Sequence, residues 1–407
     1  MFFQQLCAPS NRGRGRKRIR NKRLDIFSCD RSDYGRLWRG PAQNVLIASS
    51  TGRIGWVVSG LIPKRVGFTG KWSVSWATPI DGVLPTWDGA ISEIDRPSLL
   101  DPPTGQLYSA NGRTARIEQS NLVGRGYDGP FRTARINELV ATLGTEPGQK
   151  EATERELLSI QLDTRAKLLD FYRDCALEAC DSDPRNERLK KAAAVIRTWN
   201  GYADPDQAAY PILRWFYAEL RAALITPLTK PCRDMDSKFQ PNWFNNDEPL
   251  RRILEDRPLH FLPSQDEDYP ALLRRCVISA LDAVEKAARK PNPTWGELNI
   301  ARIQHPLLTA VGSLPLVGRW LAMPAESIAG DTWCVRVGRP SFGASERIVV
   351  SPGHEESAIC ELTTGESGHP WSPHFADQFE SWRRGEAKLL NPGPPVTTLR
   401  LVPTTQP

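Results

Sequence analysis

The apolar residues of this chain change their spacing twice along its length. Near the amino end, residues 44–48 (Asn-Val-Leu-Ile-Ala) and 54–58 (Ile-Gly-Trp-Val-Val) are short runs rich in β-branched and aromatic side chains. Ser49, Ser50, Thr51 and Gly52 separate them, and two such runs around a glycine-containing turn predict a β-hairpin. A shorter run, 107–110, comes after the turn Pro102-Pro103-Thr104-Gly105 and ends at Asn111-Gly112. It predicts a strand closing on a dipeptide that tolerates positive φ. Such a turn holds a side-chain amide in one direction, or simply makes a hairpin, and spacing alone does not choose between the two.

The middle of the chain switches to a helical period. Leu157, Leu158, Leu162, Leu168, Leu169 and Tyr172 recur at helical spacing over 153–180, and the pattern resumes over 186–199 after Ser182-Asp183-Pro184, a helix-start signal. Residues 208–225 place Ile212, Trp215, Phe216 and Leu220 on one side, and 269–289 carry an apolar stripe through Leu272, Leu273, Cys276, Val277, Leu281 and Val284. Strand-like runs return at 333–337, 345–350, 357–360 and 397–402. The pattern therefore predicts an α+β fold, β-rich at both ends with a helical middle.

Composition narrows the function classes. No run of eighteen apolar residues is present, so the sequence predicts no membrane span and no membrane partner. The start, Met1-Phe2-Phe3 and then polar residues, does not read as a secretory signal, and localisation stays unknown. The formal charge of +6 is uneven: eight cations fall between Arg12 and Arg23, and without them the remainder stands at −2. That body carries no nucleic-acid footprint. The like-charge block predicts a solvated, disordered tail over 1–38 unrelated to the rest of the chain; a basic nucleic-acid-binding arm is the minor alternative. Eight cysteines without a Cys-x-x-Cys pair read as free, buried thiols. Tryptophans 72, 76 and 87 crowd one loop, which either packs on the core or lines an apolar pocket.

Several motifs now line up in order. Residues 54–65 (Ile-Gly-Trp-Val-Val-Ser-Gly-Leu-Ile-Pro-Lys-Arg), 87–91 (Trp-Asp-Gly-Ala-Ile), Asn111-Gly112-Arg113 and 131–136 (Phe-Arg-Thr-Ala-Arg-Ile) form the first half of the series. The second half is 158–165, 199–204 (Trp-Asn-Gly-Tyr-Ala-Asp), 294–297, 340–345 and Gly365-Glu366-Ser367-Gly368-His369-Pro370. The series resembles the β-subunit of the penicillin acylase (penicillin amidase) family of N-terminal-nucleophile (Ntn) hydrolases, from about Pro41 onward. The resemblance implies that 39–407 is part of an αββα sandwich: a β-rich site region at 39–140, a helical region at 150–305 and C-terminal strands at 306–407. It also implies hydrolysis of a linear amide, with a β-lactam side chain or an acyl-homoserine lactone as substrate. In that family a serine at the start of the β-chain attacks the carbonyl, with its own α-amino group as base.

Two site residues carry over by resemblance. Asn111 matches the asparagine whose amide donates to the oxyanion, and Arg132 matches the arginine of the same hydrogen-bonding network. The serine does not carry over. The only Ser-Asn pairs are Ser10-Asn11 and Ser120-Asn121, and neither comes after a glycine or precedes a nearby tryptophan. The resemblance therefore implies an α-subunit and an N-terminal β segment as partners, supplied from outside this chain. The alternative is a catalytically silent, truncated copy or an incomplete scaffold. No cofactor is expected: some relatives bind calcium, but Asn121 stands where their aspartate does and lacks its charge, and most ligands would lie outside this chain. His354, His369 and His374 sit in glycine- and proline-rich turns near Ser351 and Ser367; they read as structural rather than as a Ser-His-Asp triad.

Overall fold

The computed structural model describes residues 42–69, 74–75, 77–114, 116–124, 126–143, 151–240, 246–308, 318, 320–391 and 393–400. The basic block at 12–23, Cys7, Cys29, Trp72 and Trp76 lie outside them.

The first hairpin forms as its pattern predicts. Strand β1 (Gln43–Ala48) pairs antiparallel with β2 (Ile54–Ser59), Val45 opposite Val57 and Ala48 opposite Ile54. Gly52, at φ 82°, turns the chain so that its amide reaches the Ser49 carbonyl at 3.0 Å. Strands β3 (Pro63–Val66) and β4 (Thr86–Ala90) form a separate two-stranded sheet, and β5 (Ser98–Leu100) adds to the other side of β2. The sheet order β1-β2-β5 leaves β1 at an edge. Ile54, Trp56 and Val58 point from β2 into one small core with Ile62 and Leu107.

Residues 107–110 depart from expectation. Leu107, Ser109 and Ala110 are buried, yet the segment joins no ladder. It is held by side chains instead: Leu107 in the β2 core, Ala110 in a second core with Ile136, Val140, Leu157 and Leu158.

Helices α1 (Ile117–Val123) and α2 (Phe131–Ala141) come next, then α3 (Glu154–Gln161) and α4 (Leu169–Asp181). The predicted run over 153–180 is thus two helices. Between them the chain pairs with residues 201–203 rather than continuing its own ladder: Ala166 N–H donates to Gly201 O and Ala203 N–H to Thr164 O, both at 2.9 Å. Thr153 starts α3 with a capping box, its hydroxyl accepting from the Glu156 amide while Glu156 accepts from the Thr153 amide.

The remaining helices are α5 (Glu187–Arg197), α6 (Ala209–Leu228), α7 (Lys230–Met235), α8 (Asp247–Asp256), α9 (Tyr269–Ala288) and the short α10 (Trp295–Leu298). Asn186 caps α5 through the amides of Arg188 and Leu189, and Asp268 caps α9 through the Ala271 amide at 2.7 Å. Their apolar stripes meet in the largest core, where Tyr172, Leu189, Ile196, Tyr210, Phe216, Leu220 and Leu272 are fully buried.

The carboxyl-terminal part contains two small antiparallel pairs, β6 (Gly338–Arg339) with β7 (Phe342–Gly343) and β8 (Glu346–Val349) with β9 (Ile359–Leu362), and α11 (Phe379–Arg384). Two expected strands do not form among the described residues. Residues 333–337 form turns, because their backbone bonds to Asp331, Asp163 and itself. Residues 397–400 are exposed and unladdered, and 401–402 lie outside the described residues. The cysteine expectation holds for Cys175, Cys180, Cys276 and Cys334, which are free and buried; Cys360 is half-buried, and Cys232, on the exposed α7, is the exception. Burial pushes the Cys276 thiol up to about 12. The chain is an α+β molecule, with strands at both ends and helices between.

Candidate active site

The turn that precedes the site is tied to β2. Asp101, at φ 43°, accepts the Ile54 amide at 3.0 Å and the Arg53 guanidinium at 2.9 and 3.0 Å. The Arg53 hydrogen bond holds its carboxyl below the usual carboxylate range. From that anchor, residues 106–110 run between the two cores and deliver Asn111.

Asn111 has φ 62°, the left-handed region in which asparagine is among the few tolerated residues. Its backbone carbonyl accepts the Asp128 amide at 2.9 Å. Its side-chain Oδ1 accepts Arg132 Nη2 at 2.8 Å. A guanidinium only donates, so this bond assigns the amide's orientation: Oδ1 faces Arg132 and Nδ2 faces away. Asn111 lines a cavity of about 1200 Å³, and its Nδ2 makes no hydrogen bond among the described residues.

Arg132 comes from the second residue of α2, its side chain 12% exposed. Asp128, one turn earlier, accepts from Arg132 Nη2 at 2.6 Å and from Nε at 3.1 Å. Asp128 so holds both the arginine, through its carboxylate, and the asparagine, through its amide. The structure brings together the two residues that the sequence placed twenty-one positions apart. α2 can approach the loop because position 112 is glycine: a Cβ there would stand 2.6 Å from Thr133 Oγ1.

Two neighbours escaped the sequence reading. Asn44 Nδ2 donates to Ser109 Oγ at 2.7 Å, and Asn44 Oδ1 accepts the indole N–H of Trp56. This chain of bonds ties β1 to the residues before Asn111, and Gln43, Asn44 and Ser109 all line the cavity. A polar residue at the start of an edge strand was the only available signal, and it is a weak one.

Other expectations separate from the site. Trp87 lies 59% exposed on β4 and does not line the cavity, whose aromatic walls are Tyr127, Phe131, Tyr217, Trp333 and Phe342. Ser120 is buried within α1, its carbonyl accepting Tyr127 Oη at 2.7 Å. Ser351 donates to Glu154, and His374 Nδ1 lies 2.9 Å from Asp377, but among the described residues no serine hydroxyl bonds to a histidine ring. Among the described residues no three His, Cys, Asp or Glu side chains converge as a metal site, and Asn121 sits on α1 without such a set around it.

Comparison with known proteins gives this geometry a family. The chain is 24% identical over 389 residues to acyl-homoserine lactone acylase QuiP of Pseudomonas syringae pv. syringae, covering 88% of this chain and 45% of that protein. It is 25% identical over 366 residues to the penicillin acylase 2 proenzyme of Pseudomonas sp. (strain SE83), covering 86% of this chain and 44% of that protein. The chain thus spans slightly under half the length of these curated relatives. Among solved structures, the thermostable penicillin G acylase of Alcaligenes faecalis shares the fold with a TM-score of 0.53 at 16% identity, over 89% of this chain and 68% of that one. The penicillin amidase family profile matches residues 32–391, and the chain belongs to that family.

Proposed function

We propose that this chain supplies the oxyanion-stabilising part of a linear-amide hydrolase whose serine nucleophile comes from polypeptide outside this sequence. The observation that carries the reading is the Asn111 amide: Oδ1 is fixed on Arg132, and Nδ2, without a hydrogen bond among the described residues, belongs to a residue lining the cavity. A donor fixed before the reaction costs no reorganisation when negative charge develops.

In this reading the serine Oγ attacks the substrate carbonyl and its proton passes to the serine's own α-amino group. The carbonyl oxygen takes the charge and is met by Asn111 Nδ2–H. Collapse expels the amine, which receives that proton, and leaves an acyl-serine for water to cleave. Arg132 acts through Asn111, holding the amide flip, while Asp128 offsets its charge. Acyl-homoserine lactones and β-lactam side-chain amides are the substrate classes favoured, because the matched relatives are named for them. Penicillin acylases are built from an α and a β subunit, and the proposed partner is the polypeptide equivalent to the α-subunit plus the start of the β-chain.

The second reading, a silent copy, draws on the position of Ser120, 2% exposed in mid-chain. The two separate by experiment. The DNA preceding the Met1 codon is read for an encoded Gly-Ser-Asn with a nearby tryptophan, and that polypeptide is co-produced with this chain. Hydrolysis of phenylacetyl-anilide or an acyl-homoserine lactone is expected only from the pair, and is expected to fall with Asn111→Gly. Absence of any such coding segment, or an inert pair, establishes the silent copy. Asn111-dependent turnover by this chain alone would overturn the claim that the nucleophile comes from elsewhere.

A further inference from the structure

The cavity has a second polar wall, remote in sequence from Asn111. Helix α6 contributes Arg214, Tyr217, Ala218 and Arg221 to its lining. Residues seven apart share one helix face, two turns or about 10 Å along the axis.

The two arginines are held differently. Arg214 donates Nε to the fully buried Asp331 at 2.6 Å, and Asp331 also accepts Tyr210 Oη at 2.9 Å. The indoles of Trp215, Trp295 and Trp333 surround its guanidinium at 5.1, 5.4 and 5.6 Å. That cage fixes the head group, while its two amino groups make no hydrogen bond among the described residues.

Among the described residues the hydrogen-bond and ring partners of Arg221 are neutral. Nη2 donates to Asn246 Oδ1 at 2.8 Å, and the guanidinium lies 5.5 Å from the Tyr217 ring centre. Its Nε is buried with no acceptor, and among the described residues no carboxylate lies within ion-pair distance of it. Asp247 acts on it electrostatically from beyond ion-pair distance and accepts the Tyr172 hydroxyl at 2.6 Å; burial raises its carboxyl, and the Arg251 and Arg221 charges work against that rise. Arg339, exposed on the same cavity, is likewise without an ion pair among the described residues. Glu346, another lining carboxylate, comes from β8 rather than from this helix. The lining carboxylates Asp128, Asp247 and Glu346 make no ion pair with Arg221 among the described residues, so this partly desolvated guanidinium keeps donor capacity for an anion in the cavity.

We propose that the Arg214–Arg221 face of α6 binds a carboxylate carried by the substrate. The proposal rests on the reading of this cavity as the substrate site. The carboxylate belongs either to the far end of the acyl group or to the released amine, and both offer the same planar, bidentate partner to a guanidinium fork.

The test measures binding of matched probes to the full chain by calorimetry. Glutaryl-anilide is compared with its neutral terminal amide, and N-phenylacetyl-leucine with its leucinamide twin. In one pair the carboxylate is expected to bind on the order of tenfold tighter than its twin at low salt. The pair that shows the preference identifies the acyl or the amine end. Arg221→Gln is expected to abolish most of the preference and Arg221→Lys to keep part of it, with unfolding temperatures unchanged as the check on folding. Should Arg221→Gln fail to fold, the Lys variant and the loss of the parent's preference at 0.5 M salt, about tenfold above the low-salt condition, decide the matter. Equal binding of both twin pairs, no binding at all, or a preference untouched by salt and by either variant overturns the proposal. Hydrolysis is not read, so an inert chain bears on the catalytic reading alone and equal twins bear on this one alone.

Discussion

The helical layer and the Asn111 corner are held together by different physics. In the layer, α4, α5, α6 and α9 bury Tyr172, Leu189, Phe216, Leu220 and Leu272 against one another, and its stability scales with apolar area removed from water. In the corner, a segment without regular structure is fixed by a handful of directed bonds: Asp101 to Ile54 and Arg53, Ser109 to Asn44, Asp128 to Asn111, Arg132 to both. Area-driven packing is tolerant of direction, whereas a reacting group must point. The chain spends its bulk on the first kind of order to support a little of the second.

The sharpest way to break this division is a substitution in each region. Phe216→Ala removes a fully buried ring from the helical core and is expected to cost about 3–5 kcal/mol of stability. A urea unfolding midpoint shifted to lower denaturant checks it; the co-produced enzyme should lose activity only in proportion to protein unfolded. Asn111→Gly is the converse. Glycine keeps the positive φ, so unfolding should move little, while turnover in the co-produced enzyme is expected to fall about 10²–10³-fold in kcat. A large loss of stability from Asn111→Gly would show that the corner carries structural weight the comparison denies it.

Arg132→Lys sharpens the corner's own logic. The charge stays, but one ammonium cannot hold Asn111 and Asp128 with the geometry of the fork. A roughly tenfold fall in kcat is expected, smaller than for Asn111→Gly, with KM nearly constant. An unchanged rate would mean that the amide's orientation is set by something other than this bond.

Acid gives the mildest contrast. The folded-state pKa of Asp101 is lowered by Arg53, so its contribution is present above the unfolded carboxylate value near 3.8 and is lost as pH falls below it. For Asp247, in the helical layer, burial raises the folded-state pKa above the same reference, so its contribution is largest at low pH and fades as pH rises past about 4. Between about pH 5 and pH 3, amide exchange is therefore expected to quicken around residues 53–54 and 101 relative to residues 246–248. Asp101→Asn should erase the first trend.

Much of this fold could be read from residue spacing because helices and hairpins advertise themselves locally. The stripes of α6 and α9 and the hairpin 44–58 required no knowledge of partners. The failures share one cause. Residues 107–110 and 333–337 are apolar because they plug cores from irregular backbone, and an apolar run looks the same whether a ladder or a plug consumes it. The break between α3 and α4 is likewise set by residues 201–203, nearly forty positions away. Resemblance singled out Asn111 and Arg132, which the structure joins by a hydrogen bond, and chemistry anticipated the positive φ at Asn-Gly. Asn44 and Ser109 were not, since neither means anything until β1 lies beside the loop. The aromatic expectation attached to Trp87 failed because local crowding of rings does not say which surface they face.

The stretch from Leu107 to Ala110 has a further consequence. Its first residue is rooted in the β2 core and its last in the α2–α3 core, a span of only about 10 Å of nearly extended chain. Such a tether has little slack. It behaves as a gauge wire between two blocks, and Asn111 is the pointer at its end. On the proposed function, a shift between those blocks would reach the amide, where misplacement on the order of 1 Å costs about a hundredfold in rate. Substrates and partners that seat the two cores against each other would then be read out directly as catalytic alignment, without a hinge or a lid.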